Sequence, residues 1–149
     1  MKNIPQAEAN RLLAMRKMPV DNRQYRYPLA GRRLNVPLKS LDKKEDFMLD
    51  ITRSKIVIAK GSLQNRARQT TLLARLDFGG QPHRNPDDEE IPSPHLHLYR
   101  EGYGDKWAFP IDSEVFPNIN SAGDALQDFA RYCNINPAPR IAFDLFTWS

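Results

Sequence analysis

The chain has 149 residues, a length that suits one domain and is enough to bury a hydrophobic core. With 40% hydrophobic and 27% charged residues, its composition is that of a folded protein and not of a disordered or fibrous one. One cysteine, Cys133, rules out an internal disulfide and a cysteine-rich zinc module, and no apolar run approaches the roughly 18–20 residues of a membrane span. The opening MKNIPQAEANRLL lacks the apolar stretch of a secretory signal, so a reducing, cytoplasmic setting is expected. The net charge of +4 conceals an asymmetry. Residues 1–75 hold 17 Lys+Arg and 6 Asp+Glu, a net of +11; residues 76–149 hold 5 and 12, a net of −7. Such a split points to a polyanionic partner for the first half, or to an acidic segment folded back onto it.

Residues 6–18 read as a helix between Pro5, which suits a first turn, and Pro19, which ends it. Residues 19–40 contain Pro19, Pro28 and Pro37 without a clear period and read as an extended basic arm. Over 46–52, Phe47, Leu49 and Ile51 alternate with Met48, Asp50 and Thr52, the period of a half-buried strand. A second strand is expected over 54–61, SKIVIAKG, from its β-branched residues, and a third over 70–78, with Leu72, Ala74, Leu76 and Phe78 inward and Leu73, Arg75 and Asp77 outward. The short link between the first two favours an antiparallel meander. Residues 81–94, with four prolines and the acidic run Asp87 to Glu90, read as an irregular loop of functional type. Alternation returns in HLHLY at 95–99, followed by the turn REGYGD and a short strand, KWAFPI, as a hairpin. Ser121 suits an N-cap, and Ala122, Ala125, Leu126, Phe129, Ala130 and Cys133 carry helical spacing over 121–133. Residues 141–148 are apolar enough to dock on the core. The expected fold class is α+β: an antiparallel sheet of four to five strands, with an N-terminal helix and a C-terminal helix packed on one face. A single domain is expected over 1–149, with a basic helix and arm over 1–40 and the α+β core over 41–149.

All three histidines, His83, His95 and His97, fall within 15 residues. Strand period puts His95, His97 and Tyr99 on one face, and the loop carrying His83, Arg84, Asn85 and Asp87 leads directly into that strand and should lie over it. If the strand neighbours the one before it, Arg75 and Asp77 stand beside the imidazoles. Three readings are open. The histidines are polar-face residues bonded to the loop; or His95, His97 and His83 or Asp87 hold a metal; or the imidazoles exchange protons with a phosphodiester while Arg75, Arg84 or Lys106 stabilises the phosphate charge. Only two metal ligands have firm spacing, so no metal ligand set and no cofactor is assigned. Nucleotide loops and a serine-nucleophile elbow are absent from the sequence.

The segments FMLDITRSKI, LLARLDFGGQPHRNPDDEEIPSPHLHLY and GDKWAFP resemble a family of small uncharacterised bacterial proteins, over roughly residues 41–146. RLD, PHRNPD and PHLHLY carry the resemblance. It implies a bacterial or phage origin and one compact domain, and it transfers no activity. Asp88 stands where the family pattern leads one to expect a glycine.

The resulting expectation is a small cytoplasmic, nucleic-acid-directed protein with RNA favoured, acting as a metal-independent endoribonuclease of the toxin or phage-defence kind. Its catalytic set would be His95, His97, His83, Arg75 and Tyr99. Its nucleic-acid contacts would be Arg23, Arg26, Arg32, Arg33, Lys55, Arg66, Arg68 and Arg84, with Tyr25 and Tyr27 interleaved for stacking. The alternative is a non-enzymatic module that binds nucleic acid, or inhibits a protein partner between phage and host. Neither reading involves a membrane.

Overall fold

The computed structural model describes residues 3–55 and 60–143. In chain order the elements are α1 (Gln6–Ala14), β1 (Lys17–Pro19), β2 (Gln24–Arg26), β3 (Arg33–Ser40), β4 (Asp46–Arg53), β5 (Gly61–Ala67), β6 (Thr71–Phe78), β7 (His83–Arg84), β8 (Glu90–Ile91), β9 (His95–Leu98), β10 (Ala108–Pro110), α2 (Ala122–Tyr132) and β11 (Arg140–Ala142). Seven strands form one sheet in the order β1-β3-β4-β5-β6-β9-β10, and each neighbouring pair is antiparallel. β2 and β11 make a parallel pair, and β7 and β8 a short antiparallel ribbon. The mixed α+β character and the antiparallel sheet follow the sequence reading; the sheet has seven strands instead of four to five.

Alternation decides which way the sheet faces. Val36 and Leu38 of β3, Phe47, Leu49 and Ile51 of β4, Leu63 of β5, and Ala74, Leu76 and Phe78 of β6 are buried in one cluster. Leu12 of α1 and Ala125, Leu126 and Phe129 of α2 belong to the same cluster. A large apolar side chain buried in this way contributes roughly 1.5–3 kcal/mol, and a one-residue slip would exchange the faces, so burial pins the register.

Four expectations are corrected. The first helix ends at Ala14, and Lys17–Pro19 is already a strand. The supposed arm over 19–40 contains β3, which lies between β1 and β4 inside the sheet. Pro37 disguised it. Its carbonyl accepts from Val20 N at 3.2 Å, on the side away from β4. A residue's N–H and C=O point the same way in a strand, so the missing N–H leaves the ladder with β4 whole. The second strand expected over 54–61 has its centre, residues 56–59, outside the described residues. The strand that joins β4 to β6 is Gly61–Ala67, whose sequence GSLQNRA has little apolar character. It begins with a glycine for a reason: a Cβ on Gly61 would sit 2.5 Å from the Thr52 carbonyl oxygen. Finally, the loop over 81–94 is not irregular throughout, since it contains the β7–β8 ribbon.

α2 starts as the sequence predicts, with Ser121 Oγ accepting from Asp124 N at 3.1 Å. Asp88, at the tip of the β7–β8 ribbon, has φ +70°, the left-handed region that favours glycine. Among the described residues no helix is long and apolar enough to cross a membrane.

Candidate functional site

The face of the sheet opposite the apolar cluster is polar across five strands, and register explains how. Arg33, Thr52, Ser62, Asp77 and His95 are successive cross-strand partners on β3, β4, β5, β6 and β9. Asn35, Asp50, Gln64, Arg75 and His97 form the adjacent row. Each strand contributes its outward residues, and antiparallel pairing lines them up.

At one end of these rows the imidazoles meet Asp77. His95 Nε2 lies 3.4 Å and His97 Nε2 3.2 Å from the same Asp77 oxygen, Oδ2. Arg75 Nε donates to the other oxygen, Oδ1, at 3.0 Å, and its second nitrogen donates to Asp105 Oδ2 at 2.9 Å. His97 Nδ1 is 2.7 Å from the Asp105 carbonyl oxygen, and His95 Nδ1 is 3.3 Å from that of Pro92. The histidine side chains are 4% and 2% exposed, whereas that of Asp77 is 26% exposed, so the carboxylate is the accessible member. Burial pushes the His95 imidazole below its ordinary pKa, against the opposing charge of Asp77. Burial alone would raise the Asp77 carboxyl; the contact with His97 and the Arg75 guanidinium outweigh it and hold the carboxyl below its usual range.

The loop does lie over the histidines. His83 packs edge-on against His97 with ring centroids 4.6 Å apart and stands 5.9 Å from His95, while its Nε2 bonds the Lys106 carbonyl at 2.8 Å. Asn85, which is buried, holds the loop there. Its Nδ2 donates to Ala108 O at 2.9 Å and its Oδ1 accepts from Ala108 N at 2.8 Å, so the side chain extends the sheet past β10.

Of the expected catalytic set, His83, His95, His97 and Arg75 come together. Tyr99 does not join them. Its hydroxyl donates to Ile4 O at 2.6 Å and accepts from Ile4 N at 2.7 Å, fastening the N-terminal segment. Arg84 also stays apart, bonding the Asp88 carbonyl at 2.6 Å and Glu90 at 2.9 Å.

The expected nucleic-acid contacts divide in the same way. Arg66 is held by Asp50 at 2.6 Å, and Arg68 by Glu45 at 2.8 Å and Glu8 at 3.4 Å. Arg23 stacks on Tyr25, 4.8 Å from the ring centroid. Tyr25 and Tyr27 are buried, so their rings are not open to bases. Arg26, Arg32, Arg33 and Lys55 are exposed, with no ion-pair partner among the described residues. Lys60, which the sequence reading did not single out, shares that condition. A groove of about 460 Å³ runs over the polar face, and Arg33, Lys60, Asp77 and His95 are among the residues that line it. Asp50 and Asp105 were also missed, whereas Asn85 was read in the loop that covers the histidines. Asp50 was legible as an outward strand residue, but the cap of Asn35, Gln64 and Arg66 that buries it comes from β3 and β5.

The model of a family of unknown function, DUF6978, matches residues 4–135. No curated protein and no solved structure matches the chain.

Proposed function

Because the chain belongs to DUF6978, a family of unknown function, its role has to be read from the site, and we propose that it is a nucleic-acid-directed binding module, RNA being the favoured partner, that takes phosphates along the groove from Arg33 and Lys60. One observation carries this reading: Arg32, Arg33, Lys55 and Lys60, exposed and without ion-pair partners among the described residues, lie together at one end of the sheet. Arg33 pairs with Thr52 across β3 and β4. Arg32 O accepts from Arg53 N at 3.1 Å, Lys60 O accepts from Ser54 N at 2.9 Å, and Gly31 lies against Lys55. The neighbouring backbone therefore brings Arg32, Arg33, Lys55 and Lys60 to the same end of the sheet, where Arg33 and Lys60 line the groove. Unpaired cations can take phosphate without first breaking a bond inside the protein, whereas Arg66, Arg68 and Arg84 cannot.

The enzymatic reading, with His95 and His97 as acid and base, has less support. Both rings are almost wholly covered, and each ring nitrogen already faces a carbonyl or Asp77. A proton-transfer group has to reach the proton it moves.

The test is fluorescence anisotropy with a labelled single-stranded RNA, over a series of salt concentrations, alongside a gel of the same RNA. We expect roughly micromolar binding at low salt that weakens steeply as salt rises, and no cleavage. An Arg33→Ala/Lys60→Ala double variant should bind at least tenfold more weakly. No RNA binding at low salt sinks the proposal. Cleavage by the wild type that is lost in His97→Ala restores the endoribonuclease. Salt-insensitive association with a protein favours the inhibitor alternative.

A further inference from the structure

The Asp77–His95–His97 cluster poses a problem of hydrogen-bond chemistry. A main-chain carbonyl only accepts, so His95 Nδ1 donates to Pro92 O and His97 Nδ1 donates to Asp105 O. In a neutral imidazole this leaves a lone pair on each Nε2. Both lone pairs face Asp77 Oδ2, which is also an acceptor. With both imidazoles neutral, three acceptors converge on one point at a nearly buried site. That arrangement costs free energy unless an imidazole takes up a second proton, as the low Asp77 carboxyl reflects, or a metal cation takes the proton's place between them.

From this convergence we propose that Asp77 Oδ2, His95 Nε2 and His97 Nε2 bind a first-row divalent transition-metal ion, with zinc as the reference case. The spacing fits. Zinc bonds of about 2.0–2.1 Å at near-tetrahedral angles put two ligand atoms about 3.3 Å apart. The two observed separations from Oδ2 are 3.4 and 3.2 Å. The donor set fits as well, because two imidazoles and one carboxylate suit zinc, cobalt, nickel or iron, whereas calcium and magnesium take oxygen ligands.

The surrounding shell is already built. Each histidine donates its remaining N–H to a backbone carbonyl, which fixes the tautomer that leaves Nε2 free to ligate. Arg75 holds Asp77 by Oδ1, leaving Oδ2 for the ion, and its bond to Asp105 ties that grip to the residue supporting His97. His83 lies outside the ligand set; its ring covers His97 and its Nε2 is engaged by Lys106. Three protein ligands leave a coordination position to fill, and Asp77 and His95 line the groove from which water or a small ligand would enter. The site does not depend on the RNA reading, since it rests on side chains that meet whether or not the groove binds phosphate.

The experiment uses the untagged full chain, stripped with a chelator and titrated with Co²⁺ by visible absorption, then with Zn²⁺ in competition. One Co²⁺ per chain is expected, with the d–d bands of a low-coordinate ion, and zinc should displace it. His97→Gln and Asp77→Asn should each weaken binding at least ~100-fold, Arg75→Gln about 10–100-fold as loss of a supporting group, and His83→Ala little. A parallel measurement on the wild type needs no variant to fold. Long-range ¹H–¹⁵N spectra should show zinc moving the Nε2 resonances of two histidines, while their Nδ1 protons persist. Absence of cobalt and zinc binding overturns the proposal. So does binding that His97→Gln and Asp77→Asn leave unchanged, or zinc that moves no histidine Nε2.

Discussion

Lys17 has no exposed surface, and its ammonium group is where the ends of both helices meet. Nζ donates to Leu13 O at 2.8 Å, Met15 O at 2.9 Å and Cys133 O at 2.7 Å, and it lies 4.9 Å from the centre of the Phe47 ring. Carbonyls at helix C-termini lack partners within the helix, so a cation there satisfies them and also meets the negative end of each helix dipole. Desolvation nevertheless lowers its pKa from 10.5 to about 8. The folded value lies below the unfolded one, so between about pH 8 and 10.5 the unfolded chain holds more protons. Stability should therefore rise with pH through that window, and the cost of the buried charge is fully present below it. Cys133 opposes the rise. Burial pushes its thiol from 9.0 up to about 12, so above pH 9 the unfolded thiol ionises first and stability falls. Chemical denaturation should show a gain from pH 8 to 9 that then levels off. In Cys133→Ala the gain should continue towards pH 10.5, and in Lys17→Met it should vanish, with a loss of about 1–3 kcal/mol at pH 7 from three unsatisfied carbonyls. A wild type whose stability is flat from pH 8 to 9 contradicts the account.

The β7–β8 ribbon has too few residues to be stable alone, and the paired Asn85 bonds to Ala108, together with the His83 bond to the Lys106 carbonyl, join it to the sheet. Asn85→Ala leaves a buried N–H and C=O of β10 without partners, which should cost about 2–3 kcal/mol. Amide exchange at Ala108 should accelerate well beyond the global change, and the His83 ring should lose its fixed packing on His97; unchanged protection at Ala108 would show that the ribbon is held by something else. The elements best read from sequence were those whose period matches their burial. β4, β6 and β9 alternate in sequence, although Asp50, Leu73, which was expected outward, and the two histidines are buried as well, and the second helix carries both its cap and its apolar stripe. β5 was displaced because its partners on both sides, not its own composition, make GSLQNRA a strand. β3 was lost to Pro37, whose missing N–H is harmless only once β4 is known to lie on the other side. The histidine row was legible from strand period alone. Its third member was legible only on a condition: Asp77 was expected beside the imidazoles if the two strands were neighbours, and the pairing of Asp77 with His95, a register that belongs to two strands together, meets that condition.

At the scale of the molecule, the charge asymmetry is resolved by where the ion pairs fall. Arg11, Arg66 and Arg68 pair with Glu8, Glu45 and Asp50, all within the basic half of the chain. Among the described residues only Arg75 crosses to the acidic half, to Asp77 and Asp105. From the acidic run at 87–90, the one ion pair is Glu90 with Arg84, again local. Among the described residues, then, the ion pairs of the basic half are mostly internal to it, and Arg32, Arg33, Lys55 and Lys60 have no ion-pair partner. This separates two kinds of arginine that look alike in sequence. Arg68 is occupied by Glu45 and Glu8, so Arg68→Ala should lower stability by about 0.5–1 kcal/mol and leave the salt dependence of RNA binding unaltered. Arg33 has no partner among the described residues, so Arg33→Ala should leave stability within about 0.5 kcal/mol. It should also reduce the slope of log affinity against log salt by about one. Denaturation and salt-titrated anisotropy on the same two variants measure both quantities. If Arg68→Ala flattens the salt slope as much as Arg33→Ala does, then phosphate is not entering at the end of the groove where the unpaired cations gather.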